Sequence, residues 1–163
     1  MGIQLGDPVA PRTSFEPMAR KGRYLAKAFD NRVGMAAVVE AGQKLARLKR
    51  SNHLLLAGSV QEELGLRGAR TLARHTRPDV AVILEGTPAD DTPGFQQDES
   101  QAVVGEGVQI RMHDPSAIMN PGLAQLALET AEKDNIPCQL AVRRGGGTDA
   151  EPPRGAAVTR HLA

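Results

Sequence analysis

Four acidic side chains stand where apolar runs end: Asp30 after Leu25-Ala26-Lys27-Ala28-Phe29, Glu62 and Glu63 after residues 54–60, and Glu85 after residues 80–84. In an open α/β sheet the ligand crevice lies beyond the carboxyl ends of the strands, so acids placed there converge even when far apart in sequence. Converging carboxylates repel, and a divalent cation is the usual remedy. Glu62 and Glu63 are adjacent, and adjacent side chains on a regular strand face opposite ways, so both reach one site only where the strand has ended. One could then bind metal while the other moves a proton. Taken singly, each acid is most simply a solvated strand end or a helix N-terminal charge. The repeated placement is what points to a site.

Other candidates are weaker. Gly145-Gly146-Gly147 could cradle a phosphate but lacks the Gly-Lys-Ser/Thr ending of a P-loop, so a turn is the simpler reading. Gly105-Glu106-Gly107 is weaker again. His53, His75, His113 and His161 show no His-Glu-x-x-His spacing, and Ser59, Ser116 and Cys138 have no nucleophile context.

The elements that would position the acids follow from periodicity. Residues 1–28 hold turn signals between short apolar pieces and suggest small strands. From Asn31-Arg32-Val33-Gly34, apolar residues at three- and four-residue spacing predict a helix of roughly four or five turns. Residues 53–60 form an apolar run, expected as a strand buried on both faces; 68–75 suit a short helix; 80–84 suit another strand. Together these predict a parallel βαβ unit. Residues 86–101 read as a long loop, 103–104 and 108–112 as strand, and 138–142 as strand. Asn120-Pro121 is an N-cap with Pro at the first helical position, opening a helix that ends before Ile136-Pro137. The tail from Glu151 shows no period and is assigned no structure.

Length and composition narrow the function classes. A chain of 163 residues suffices for one domain with a core. Lys and Arg total 20 against 19 Asp and Glu, a balance that draws neither nucleic acid nor an anionic membrane. With no Trp, one Tyr and three Phe, base-stacking platforms are not expected. A single cysteine forms no intramolecular disulfide and suits the cytoplasm, and neither a membrane span nor a signal peptide is visible.

Four motifs occur in order: Lys27-Ala28-Phe29-Asp30-Asn31-Arg32-Val33-Gly34, then residues 60–69 around Gln61-Glu62-Glu63-Leu64-Gly65, then Thr87-Pro88-Ala89-Asp90-Asp91-Thr92-Pro93-Gly94, and Gly145-Gly146-Gly147-Thr148-Asp149-Ala150. Over roughly residues 2–150 the chain resembles the glutamyl and deblocking aminopeptidases that assemble as tetrahedral particles, a family also labelled cellulase or endoglucanase M. The resemblance implies a metal-dependent aminopeptidase using two divalent ions, Zn or Co, on peptides with a free N-terminus, and a homo-oligomer in the intact family. It implies Asp30 bridging the metals, Glu62 as general base, Glu63 ligating one metal and Glu85 the other, where Asp is commoner. The expected fold is three-layer α/β (αβα) with a mainly parallel sheet. Residues 1–26 would be a remnant of an inserted small β domain, 27–150 a partial catalytic domain and 151–163 an atypical tail, with the first catalytic strands upstream of Met1.

The family's two histidine ligands lie in a His-x-Asp segment before the inserted domain and a Tyr-x-His-Ser-Pro-like segment after the Gly-Gly-Gly-Thr-Asp-Ala motif, and this sequence has neither. His161 lies in the right general region for a substitute, but its neighbours do not resemble that segment. A truncated or frameshifted gene is the expectation for the tail, and impaired activity the expectation for the chain. DNA sequence beyond the last codon tests the former: a matching histidine segment in another frame supports it, and none in any frame removes it.

Overall fold

The computed structural model describes residues 2–94 and 100–150 together with the backbone of Ala156–Leu162. Near the start, β1 (Glu16–Pro17) and β2 (Tyr24–Leu25) pair antiparallel. Phe15 stacks on Tyr24 at 5.1 Å and meets Phe29 edge-on at 6.4 Å, tying this hairpin to the helix that follows. Small strands were expected here and are present.

Helix α1 (Phe29–Leu45) packs on the strand β3 (Val80–Gly86). Its closest approach is at Gly34, which is buried; a Cβ there would collide with the Leu84 carbonyl oxygen and the Asn31 side chain. Gly34→Ala is therefore expected to destabilise the chain by ~1–3 kcal/mol, the range for overpacking, as read from urea unfolding.

Helix α2 (Arg67–Thr76) precedes β3, and β4 (Val108–Asp114), β5 (Ala117–Ile118), α3 (Pro121–Lys133), β6 (Cys138–Val142) and β7 (Ala156–Leu162) follow. The N-cap of α3 is as read from sequence: Asn120 Oδ1 accepts from the Leu123 amide at 3.0 Å, with Pro121 opening the first turn. The main sheet runs β3-β7-β4-β5, with β6 also on β4. β7 is parallel to β3 and antiparallel to β4, whereas β4 is parallel to β6 and antiparallel to β5. The sheet is thus mixed, with its two longer ladders, β3 to β7 and β4 to β6, parallel. Helix α3 packs on β4 and β7.

Three expectations need correction. Residues 53–60 form no strand: they run without turn or bend but have no ladder partner among the described residues, so the parallel βαβ unit is absent. Residues 103–104 are likewise not strand. Conversely, residues 156–162, assigned nothing from sequence, form a strand between β3 and β4. The long loop is present at 87–107, although part of it, residues 95–99, lies outside the described residues.

The core is centred on β4, where Gln109, Ile110 and Arg111 are buried, with Met119, Ala124, Ala131, Ala141 and Ala150 around them. Small side chains dominate it, and much apolar surface stays outside. The accessible surface is 12331 Å², whereas a compact monomer of this mass exposes about 7,800 Å². Leu54, Leu55, Leu56 and Val60 beside α1, and Val80 and Val82 on β3, contribute to the excess. No helix among the described residues is long and apolar enough to cross a membrane.

Candidate functional site

All four acids singled out from sequence line one cavity of about 610 Å³. Each comes from a different local device. Asp30 sits in the first turn of α1, where Asp30 and Asn31 leave helical geometry and kink the helix. Gly86 allows Asp30 to lie against the end of β3, since a Cβ there would come within 3.1 Å of the Asp30 backbone. Glu62 and Glu63 occupy a turn in which the amides of Gly65 and Leu66 donate to the Glu62 carbonyl at 3.1 and 2.9 Å. That turn is the break needed for neighbouring acids to share a site. Glu85 is the buried penultimate residue of β3.

Asn31, to which the sequence reading gave no role, connects these pieces. Its Nδ2 donates to the Leu84 carbonyl at 2.7 Å and to Glu85 Oε1 at 2.8 Å, while its Oδ1 accepts from the Gly34 amide at 2.9 Å. Asp149 was also missed, although it lies inside a quoted motif. Burial pushes its carboxyl up, against the Ser59 hydroxyl that donates to it.

The acids raise one another. Burial first, then the charges of Glu63, Asp149 and Asp30, lift Glu62 above the ordinary carboxylate range. Burial and the charges of Glu62, Asp30 and Asp149 push Glu85 up to about 8, against the pull of Arg111. The cluster is a concentration of negative charge short of positive charge.

Cations and the glycine loop make the opposite wall. Arg143 Nη1 bridges both oxygens of buried Asp90 at 2.7 and 2.8 Å, and its Nη2 reaches the Pro88 carbonyl at 3.1 Å, so it clamps residues 87–90 as the cavity rim. Burial alone would raise Asp90, but Arg143 and the amides of Gln101 and Ala102 outweigh it and hold the carboxyl low. Removing one partner of such a pair leaves an uncompensated charge. Asp90→Ala is expected to cost ~3–5 kcal/mol of stability in a denaturant titration near neutral pH. On the same wall Asp114 Oδ1 accepts from the Ser116 hydroxyl at 2.6 Å, and Ser116 Oγ accepts from the Thr148 amide at 3.3 Å, fixing the end of the Gly145–Gly147 loop.

The arrangement provides a proton acceptor and carboxylate donors, but not a closed metal site. Among the described residues no three His, Cys, Asp or Glu side chains could hold a metal ion together. Asp30 and Glu63 are exposed. The donor types suit a divalent cation, yet these residues by themselves do not fit one. The backbone of His161 pairs in register beside Glu85, in the strand that the sequence reading had left unassigned.

With this geometry in view, the chain belongs to the M42 glutamyl aminopeptidase family, whose model matches residues 1–157. It is 36% identical over 149 residues to the glutamyl aminopeptidase of Lactococcus lactis subsp. cremoris, covering 91% of this chain and 41% of that protein. It superposes on a TET aminopeptidase from a marine sediment Thaumarchaeota archaeon with TM-score 0.89 and 34% identity, over 99% of this chain and 47% of that one. It also matches the TET1 peptidase of Pyrococcus horikoshii, described as assembling into a tetrahedron or a large octahedral shell, with TM-score 0.68 and 28% identity over 93% of this chain and 44% of that one. The chain spans about two fifths of the length of the curated relatives it matches.

Proposed function

We propose that this chain carries the general base and part of the metal-ligand set of an aminopeptidase that hydrolyses N-terminal peptide bonds. The observation that supports it is the meeting of Asp30, Glu62, Glu63 and Glu85, from three separate segments, in one cavity. Glu62 is the base: it takes a proton from the attacking water and passes it to the leaving amine, and burial together with its acidic neighbours raises its affinity for protons, as that task requires. Asn31 holds Glu85 in place through its amide, and the clamped rim at Pro88 bounds the substrate cleft. Asp30, Glu63 and Glu85 do not fit a metal ion by themselves; they would be the carboxylate part of a ligand set for two divalent ions, Zn or Co. Further donors are needed to complete the set.

A second reading is favoured by the absence of a closed metal site among the described residues: a non-catalytic relic, or an assembly component of an aminopeptidase particle. In the first reading the chain is part of a three-layer α/β catalytic domain that acts as a homo-oligomer in the cytoplasm, on peptides with a free α-amino group. Metal content of the purified chain, measured together with hydrolysis of leucine and glutamate nitroanilides, separates the two. We expect less than one equivalent of bound Zn²⁺ or Co²⁺ and little or no turnover. Turnover that a chelator abolishes and Zn²⁺ or Co²⁺ restores would overturn that expectation and make His161→Ala the next variant to assay.

A further inference from the structure

Asp149 is an acid without a role in the reaction proposed for this site. It stands at the end of the glycine loop between Thr148, which is fully buried, and Ala150, which is nearly so. Three hydrogen bonds brace this stretch. The buried Asp114 carboxylate accepts from the Ser116 hydroxyl at 2.6 Å, Ser116 Oγ accepts from the Thr148 amide at 3.3 Å, and Thr148 Oγ1 accepts from the Ala150 amide at 3.2 Å. Asp149 is thereby built onto the wall formed by β4. Its Oδ1 is buried with no hydrogen-bond partner among the described residues, and the Ser59 hydroxyl donates to the same carboxylate.

Ser59 belongs to the other wall. It precedes Glu62 by three residues, and its Oγ lies so close to Gly68, at the start of α2, that a Cβ there would come within 2.9 Å of it. From this point the backbone is fastened to α2: the Gly68 amide donates to the Val60 carbonyl at 3.0 Å and the Arg67 amide to the Gln61 carbonyl at 3.3 Å. Those bonds fix the turn of Glu62 and Glu63 to its own helix, but not to the sheet that carries Glu85. The bond from Ser59 to Asp149 joins the two. The negative charge of Asp149 is unfavourable beside Glu62 and Glu85, and a neutral asparagine would accept from Ser59 without that penalty. A carboxylate makes the stronger, charge-assisted bond.

We propose that Asp149 is a positioning residue for the base: through the Ser59 hydroxyl it sets where the turn bearing Glu62 and Glu63 stands against Glu85. That Glu62 is the base rests on the peptidase reading, whereas the placement of its turn does not.

Hydrogen exchange and carboxyl resonances of the purified chain, with a chelator present, test the placement. The amides of Gly65 and Leu66, which donate to the Glu62 carbonyl, are expected to exchange roughly tenfold faster or more in Ser59→Ala, the scale of one hydrogen bond to a charged group. Asp149→Ala is expected to do the same, and the double variant no more than either, because both remove one bond. Ser59→Thr keeps the hydroxyl and is expected to restore the parent rates. With isotope-labelled glutamate, Ser59→Ala is expected to move the Glu62 carboxyl resonance, assigned through Glu62→Gln, while those of Glu129 and Glu132 on α3 stay. That substitution changes no charge, so the movement reports position. Should Asp149→Ala lose its circular dichroism, Asp149→Asn takes its place, with a smaller acceleration expected from its weaker acceptor. Unchanged exchange at Gly65 and Leu66, an unmoved Glu62 resonance, additive effects of the two substitutions, or acceleration shared equally by the amides of α3 would overturn the proposal. Turnover indifferent to Glu62→Gln would instead remove the peptidase role of Glu62 and leave the placement standing.

Discussion

Glu62→Gln is expected to lower turnover of an aminoacyl nitroanilide by ~10²–10⁴-fold, the range for losing general acid–base catalysis, in any preparation containing this sequence that supports turnover. Its bound metal is expected to be unchanged. Glu63→Gln, one residue on, is expected to lower metal content itself, with activity falling in parallel. The contrast follows from a turn that presents two adjacent carboxylates to one cavity, Glu62 half-buried among other acids and Glu63 open. Elemental analysis of the two variants beside the parent, together with their kcat values, decides it. Equal metal loss in both would mean that the roles within the pair are wrongly assigned.

Glu85→Gln is expected to make the metal-free chain more stable than the parent at alkaline pH, with a gap that closes in acid. The folded-state carboxyl titrates at about 8 against an ordinary 4.5. Between those values the folded chain keeps a proton that the unfolded chain has released, so the parent loses stability as pH rises through this window and levels off above it. A rise of that size corresponds to up to about 5 kcal/mol. Glutamine keeps a carbonyl oxygen for the Asn31 amide while removing the charge. Urea titrations with a chelator present, from about pH 5 to about pH 9, measure the gap. A gap independent of pH, or one that widens in acid, would show that Glu85 is not held protonated by burial and its acidic neighbours.

The contrast between residues 53–60 and 156–162 shows what sequence could reveal. The first run has the composition of a buried strand, and composition reports what a segment would do given a neighbour; whether one stands beside it is a fact about the rest of the fold. The second, Ala156-Ala157-Val158-Thr159-Arg160-His161-Leu162, has no alternation and follows a Pro-Pro-Arg-Gly stretch, so nothing local signals a strand. Its order comes from β3 and β4 on either side. Locally encoded elements were legible: α3 from its Asn120 cap, β3 and β6 from short apolar runs, and α1 from its spacing. The four acids that meet in the cavity were legible because each ends an apolar run or lies in an ordered motif. Asn31 and Asp149 were not, because a second-rank polar partner shows itself only once its hydrogen bonds are drawn.

The position of β7 also bears on the order in which the chain acquires its structure. Within the described sheet β3 and β4 do not pair with each other; β7 joins them, and Val80 finds its partner in Ala156. Closing so long a loop carries an entropic cost that local contacts do not repay until the strand docks. On a ribosome, β3 would therefore emerge with no ladder partner among the described strands and wait through the synthesis of β4, α3 and β6. Helices α1 and α3 can form early, whereas the sheet that holds Glu85 is assembled last. Refolding of this chain should accordingly show rapid recovery of helical signal followed by a slower phase that buries the β3 edge.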